Sequence, residues 1–194
     1  MNNVKSALIV GVGGQGTLLA SKVLGRVVLS EGYDVKVSEV HGMSQRGGSV
    51  VTYVRYGEKV DSPIIDKGEA DIILAFERLE ALRALPYLKK GGKIILNDHA
   101  ISPMPVITGA AEYPEGIVDA LSSLADVTAV DATALSLSVG SPKAVNVVLI
   151  GVLAAASEID KEVFLSVIRE TVPQKFLELN LNAFELGYKV GKEK

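Results

Sequence analysis

The sequence predicts an α/β fold: an open, Rossmann-like, mostly parallel sheet flanked by helices, with a hairpin-like excursion after the second strand and a helical C-terminal region. Three observations predict it. Short apolar runs alternate with helix-period stretches along much of the 194-residue chain. A glycine turn, "GVGGQG" at residues 11–16, joins the first apolar run to the first helical stretch. From Thr133 onward the apolar spacing is mainly helical.

Residues 5–10 form a short apolar strand ended by glycine. From Thr17 to about Ser30, Leu18, Leu19, Val23, Leu24, Val27 and Val28 recur at helical spacing, and Gly32 supplies a stop. "DVKVSEV" alternates apolar with polar residues, so strand, turn, helix and strand make a βαβ unit, expected to be parallel and right-handed. "HGMSQRGG" is then a polar, glycine-bearing loop, and the β-rich "SVVTYVRYG" follows it with no helix between. A hairpin or sheet-edge excursion fits that order better than another crossover. "ADIILAF" reads as a strand, "ERLEALRALPYLKKGG" as a helix closed by its glycines, and "KIILND" as a strand. "EGIVDALSSL" is a helix and "DVTAVDA" a strand. "SPKAVNVVLIGVLAAAS" has a proline suited to a first helical turn, "DKEVFLSVIRETV" is amphipathic, and "PQKFLELNLNAFELGYKVGKEK" supplies the last helix. No repeat or linker interrupts the pattern, so a single domain over 1–194 is expected.

Apolar residues make up 48% and charged residues 22%, the balance of a folded chain. A net charge of −3 with scattered Lys and Arg carries no footprint for nucleic acid or a membrane surface. With no cysteine, the chain by itself holds neither a Cys-ligated iron–sulfur cluster nor a thiolate zinc site. The absence of Cys and of a secretory apolar segment before the glycine turn leads us to expect a cytoplasmic, soluble protein. The longest apolar stretch, residues 144–156, falls short of the roughly 18 residues that span a membrane. Only Asn146 and Gly151 interrupt it, so it needs burial on every side. Part of the C-terminal helical region, including the amphipathic "EVFLSVIRETV", is therefore expected to help form a homo-oligomeric or partner interface; the alternative is that the last helix, "FLELNLNAFELGY", covers it within the chain.

Ligands of open parallel sheets bind beyond the carboxyl ends of the strands. Gly11, Gly13, Gly14 and Gly16 let backbone N–H groups approach an anion at a helix N-terminus. The competing reading is a tight turn whose glycines allow close helix–sheet packing. Glu39 lies 23 residues beyond Gly16, near where dinucleotide enzymes carry a ribose-binding acid. In the second loop Gly42, Gly47 and Gly48 free the backbone, Arg46 brings a permanent charge for carboxylate or phosphate, and His41, Ser44 and Gln45 add donors and acceptors. A solvated hairpin loop is the alternative. The other strand ends nominate Glu77, Asn97, Asp98, His99, Asp131 and Thr133; of these, Asn97 and Asp98 also suit turns and caps. No cluster has metal-ligand spacing, the first loop lacks the Lys-Ser/Thr ending of a P-loop, and no G-x-S-x-G elbow occurs. Catalytic residues stay unassigned.

"GVGGQGTLLASKVLG", "VSEVHGMSQRGGSVVTYVRYG" and "SPKAVNVVLIGVLAA" together resemble the gamma-type subunit or domain of 2-oxoacid:ferredoxin oxidoreductases, over nearly the full chain. The wording "HGMSQRGG" favours the indolepyruvate-type branch, whose small (beta) subunit it is most like. The resemblance implies a complex that oxidatively decarboxylates a 2-oxoacid such as indolepyruvate or pyruvate with coenzyme A, releasing carbon dioxide and an acyl-CoA while electrons pass to ferredoxin. Thiamine diphosphate, magnesium and iron–sulfur clusters are then expected in catalytic partner chains, and coenzyme A is a co-substrate. In agreement, no G-D-G…N thiamine–magnesium motif occurs here. The resemblance assigns this chain to packing on the catalytic subunit and completing the substrate or coenzyme A environment. It carries over Gly11, Gly13, Gly14, Gln15 and Gly16 from the first loop, and Gly42, Met43, Ser44, Gln45, Arg46, Gly47 and Gly48 from the second.

An NAD(P)-binding Rossmann oxidoreductase or regulator is the alternative, with the first loop and Glu39 in their usual roles. Against it, a dinucleotide domain continues after its second strand with a crossover helix, where this chain has a loop and a further strand. If Arg46 grips an anionic group, Arg46→Ala in the assembled complex lowers kcat/KM on the order of ten- to a hundred-fold, the worth of a charge-assisted contact of roughly 1.5–3 kcal/mol. Steady-state kinetics with each co-substrate varied in turn measures it, and an unaltered rate supports loops that only pack.

Overall fold

The computed structural model describes residues 4–42 and 47–193. In chain order it contains β1 (Lys5–Val12), α1 (Thr17–Ser30), β2 (Asp34–His41), β3 (Ser49–Gly57), β4 (Ala70–Ala75), α2 (Arg78–Ala84) and β5 (Leu88–Asn97). Then follow α3 (Met104–Ile107), α4 (Ile117–Leu124), β6 (Asp126–Val130), α5 (Ala132–Ser138), α6 (Val145–Ala156), α7 (Lys161–Thr171) and α8 (Leu177–Lys192). The strands form one six-stranded sheet in the order β2-β3-β1-β4-β5-β6. β1, β4, β5 and β6 run parallel, whereas β3 is antiparallel to both β1 and β2.

The unbroken apolar runs of the central strands follow from cover on both faces. Ala7 and Ile9 of β1, Leu74 of β4 and Ile95 of β5 join one core with α1, α6, α7 and α8. The alternate residues Leu8, Val10, Ile73, Ala75, Ile94 and Leu96 join a second core with α2 and α4. Period-two alternation thus divides each strand between two interiors.

Three expectations need correction. β2 does not pair with β1: β3 lies between them, in register with β1 from Lys5↔Tyr56 to Val12↔Ser49 and with β2 from Asp34↔Gly57 to His41↔Val50. The short connection before β3 favours hairpin pairing with β2, and the buried Thr52 and Val54 require an interior position. α2 stops at Ala84 rather than at Gly91 and Gly92, because Pro86 ends it through a 3₁₀ turn at Leu85–Tyr87 and β5 begins at Leu88. Leu18 belongs to no core, being 63% exposed.

The apolar helix α6 is buried from Asn146 to Ala155. Its cover comes from within the chain, as the alternative reading had it. A Cβ on Gly187 of α8 would overlap the Val148 carbonyl, one on Gly151 would overlap the Phe184 carbonyl, and one on Gly191 would stand 2.7 Å from Ala155 Cβ. Missing side chains on both helices let the backbones touch, and α6 needs no partner surface for its own burial. Among the described residues no helix is long and apolar enough to cross a membrane.

Because backbone rather than a flexible side chain occupies the space, Gly187→Ala is expected to cost near or above the upper end of the roughly 1–3 kcal/mol typical of overpacking. At about 2–4 °C per kcal/mol for a chain of this size, calorimetry should show the melt falling by about 6–12 °C. An unchanged melt contradicts this packing.

Candidate functional site

The turn between β1 and α1 is built around one side chain. Gln15 Oε1 accepts from the Val12 N–H at 2.7 Å, and Gln15 Nε2 donates to the Phe76 carbonyl at 3.0 Å. Gln15 N–H closes the turn onto the Val12 carbonyl at 3.1 Å. Gly14 (φ 100°) and Gly16 (φ 89°) take left-handed conformations that side chains resist. Gly16 is the N-cap of α1, and without a side chain it leaves that helix end uncapped. Among the described residues the backbone N–H groups of Gly14, Gly16, Thr17 and Leu18 meet no acceptor. Several free donors at a positive helix end form an anion-accepting arrangement.

The glycines divide between the two readings of the turn. Gly11 lies inside β1 opposite Val50, and a Cβ there would stand 2.9 Å from Gln15 Oε1 and 3.0 Å from Phe76 Cβ. Its role is close packing. Gly14 has nothing within 4 Å of its Cβ position and faces open space.

The two glycine loops meet. Gly13 N–H donates to the Gly48 carbonyl at 2.9 Å, next to the last β1–β3 pair, Val12↔Ser49. Ser49 Oγ donates to Glu80 Oε2 at 2.6 Å, and Arg83 reaches Glu80 Oε1 at 2.6 Å. Glu80, only 4% exposed, therefore anchors the far side of the second loop to α2. Gly42 and Gly47 are described as well, Gly47 at φ 76°. Met43, Ser44, Gln45 and Arg46 lie outside the described residues.

A cleft of about 350 Å³ opens where the loops meet, lined by Gly13, Gly14, Gly16, Thr17 and Leu18 on one side and Glu39, His41 and Val50 on the other. Glu39 accepts from Thr52 Oγ1 at 3.2 Å. It shares the cleft with the turn, yet the inserted β3 holds its strand two spacings from β1, roughly 9–10 Å instead of about 4.8 Å. Thr17, Leu18 and Val50 were not singled out as site residues; the legible signal was Leu18 beside Leu19, since one narrow helix face does not bury both.

The other strand-end candidates serve the fold. The buried Glu77 carboxylate caps α2 by accepting from Glu80 N–H at 2.9 Å, and it also accepts from Ile101 N–H at 3.1 Å and from the Tyr113 hydroxyl. Burial, then that contact, pushes the Tyr113 phenol up, so it stays a donor. Asn97 donates to the Phe76 carbonyl at 3.2 Å and to Thr133 Oγ1 at 3.5 Å, and accepts from Ala132 N–H at 3.0 Å. Asp98 pairs with Arg78 at 2.5 Å, a bond that raises the guanidinium's pKa, and the His99 carbonyl accepts from Arg78 N–H. Asp131 caps α5 through Ala134 N–H at 2.8 Å. Among the described residues no group of three His, Asp or Glu is placed to hold a metal ion.

A larger cleft of about 700 Å³ lies at the opposite, amino end of the strands. Two ion pairs cross it, Lys89 with Asp71 at 2.9 Å and Lys5 with Glu158 at 3.1 Å, and Asp71 also accepts from Ser6 N–H. Free backbone donors at a helix end make the smaller cleft the stronger candidate.

Comparison with known proteins agrees with this architecture. The family model described as pyruvate ferredoxin/flavodoxin oxidoreductase matches residues 6–190. The chain is 45% identical, over 96% of its length and 95% of the relative's, to "Indolepyruvate oxidoreductase subunit IorB" of Thermococcus kodakarensis. It superposes with a TM-score of 0.72 at 23% identity, over 98% of this chain and 99% of the other, on a keto/oxoacid ferredoxin oxidoreductase gamma subunit of Geobacter sulfurreducens. It also matches, with a TM-score of 0.75 at 16% identity, 32% of the longer chain of a 2-oxoglutarate:ferredoxin oxidoreductase of Magnetococcus marinus, which covers all of this chain. The free-donor glycine turn, the inserted antiparallel strand and the match over residues 6–190 lead to one conclusion: the chain belongs to the pyruvate ferredoxin/flavodoxin oxidoreductase family, as a gamma-type subunit of a 2-oxoacid:ferredoxin oxidoreductase.

Proposed function

We propose that the chain serves an indolepyruvate:ferredoxin oxidoreductase as its smaller, non-autonomous subunit. It holds an anionic group of coenzyme A or of the 2-oxoacid in the cleft between the glycine loops. The observation that carries this role is the set of N–H groups at Gly14, Gly16, Thr17 and Leu18 that meet no acceptor among the described residues, in a turn held by Gln15. The substrate rests on the name and 45% identity of the Thermococcus relative. Thiamine diphosphate, magnesium and the iron–sulfur clusters belong to the partner chain, since this chain has no G-D-G…N thiamine–magnesium motif and no cysteine to ligate a cluster. The partner performs the decarboxylation and passes electrons to ferredoxin; this chain binds and orients.

One observation favours a second reading. Glu39 lines the same cleft as the turn, as a ribose-binding acid does in dinucleotide enzymes. Calorimetry with NAD(H) and NADP(H) separates the two, because micromolar binding lost on Glu39→Ala supports the dinucleotide reading and its absence the proposed one.

The isolated chain is expected to purify colourless and to turn over neither indolepyruvate nor pyruvate, with activity returning on assembly with the cysteine-rich partner. Turnover by the chain alone overturns the proposal. Within the assembled complex, Leu18→Glu places a negative charge at the cleft rim in the first turn of α1, where it favours the helix but repels an anion. The KM for the anionic co-substrate should rise roughly ten-fold with no fall in melting temperature. An unaltered KM for both coenzyme A and 2-oxoacid defeats the assignment of this cleft.

A further inference from the structure

The connection from β5 to α4, residues 98–116, is long for a segment with only the single helical turn α3 of its own. It is nevertheless well built. The buried Glu77 carboxylate holds both of its sides, accepting from Ile101 N–H on the way out and from the Tyr113 hydroxyl on the way back. Arg78 N–H adds a bond to the His99 carbonyl at 3.0 Å. Within the loop the Pro103 carbonyl accepts from Val106 and Ile107 N–H, and the Pro105 carbonyl from Ala110 and Ala111 N–H at 2.8 and 3.1 Å. A segment pinned at its base and closed by its own bonds is a compact Ω-loop. What it lacks is a use inside the fold. Met104 and Ile107 are each 66% exposed, and among the described residues Met104, Val106 and Ile107 join neither core. Residues 100–111, "AISPMPVITGAA", carry no charge, and charges resume on either side at Asp98, Glu112 and Glu115. An apolar centre inside a polar rim is the anatomy of a protein–protein contact. Because the loop is already ordered, it has little freedom left to lose on docking.

We propose that this loop anchors the chain on the catalytic partner subunit, with Met104 and Ile107 seated in an uncharged, apolar depression of that subunit. The inference rests on the reading of the chain as a non-autonomous subunit and names a docking surface for it. Position selects the occupant. The loop leaves the sheet directly after Asn97, at the carboxyl end that also carries the glycine turn, and Asn97 and Gln15 hold the same Phe76 carbonyl. β5 stands two strands from β1, roughly 9–10 Å across the sheet. A subunit that brings its reacting group to the cleft between the glycine loops therefore comes over the base of this loop. Leu18 in the first turn of α1 and Val40 near the end of β2, both exposed, stand at that end too. Two side chains on one loop fall short of the roughly 800 Å² per partner of a standard interface, so the loop is one anchor of a wider surface rather than a sufficient contact between two copies.

The test dilutes the assembled complex and follows its dissociation by analytical ultracentrifugation, with the wild-type chain and with Met104→Asp combined with Ile107→Asp. Both side chains face solvent in the free chain, so the melting temperature of the free variant should match wild type. Its affinity for the catalytic subunit should fall roughly ten-fold or more, because the burial of two apolar side chains is lost. Met104→Leu combined with Ile107→Leu should assemble as wild type does. If the aspartate variant does not fold, hydrogen exchange in the wild-type chain decides, since the amides of residues 106–111 should gain protection on assembly. A folded aspartate variant that assembles as tightly as wild type, or exchange at 106–111 unchanged by assembly, overturns this inference alone. A wild-type chain that forms no complex with a thiamine-binding, cysteine-rich chain overturns it together with the subunit reading. Self-association of the free wild-type chain that the aspartate variant abolishes would name a second copy as the occupant, and binding to neutral lipid vesicles that the variant abolishes would name a membrane. Either result overturns the proposal.

Discussion

A single carbonyl organises the carboxyl end of the sheet. Phe76, just past β4, accepts from Gln15 on the β1 side and from Asn97 at the end of β5. Two side-chain amides converging on one oxygen tie three parallel strand ends together, beside the backbone bond from Phe76 N–H to the Val10 carbonyl. Gln15 reaches back with its own oxygen to the Val12 N–H, so the knot also fixes the glycine turn. The free donors of that turn are presented by a brace within the fold, which is why a loop of small residues holds a definite shape.

The inserted strand has a matching role on the other side. β3 carries the second glycine loop to the end of β1, and the bond from Gly13 N–H to the Gly48 carbonyl joins the loops across the sheet. In a purely parallel arrangement that position would hold β2 and its acid; here Glu39 stands one strand farther out. Sheet order therefore changes the chemistry offered by the same glycine pattern without altering a residue of the turn. Glu80, buried in α2 and paired with Arg83, secures Ser49 and with it the departure of the second loop.

Most elements were legible because their signals are local. Glycines between an apolar run and a helix-period stretch located β1, the turn and α1, and α1 runs over the anticipated Thr17–Ser30. What escaped was non-local or competed with a stronger local signal. No residue of β3 announces that its neighbours are β1 and β2, since the choice is made by pairing across the sheet. Pro86 was present to end α2, but Gly91 and Gly92 offered a second stop and the stretch between reads as helical. Strand ends nominated Glu77, Asn97 and Asp131 as site candidates, yet their partners include backbone groups of the fold, which spacing does not reveal. Asn146 read only as an interruption in an apolar helix, because its neighbour across space, Gly16, is far away in sequence.

The glycine-mediated contact between α6 and α8 also sets an order of events. α6 is apolar on every side and gains its final cover only when Leu177–Lys192 arrives. At about 5–20 residues per second of synthesis, the few dozen residues separating the two helices leave α6 without that cover for on the order of 2–7 seconds. During those seconds the nascent chain carries a greasy rod with no lid, the kind of surface that chaperones hold and that neighbouring nascent chains find. The last helix to emerge is therefore the one that ends the protein's exposure to misassembly.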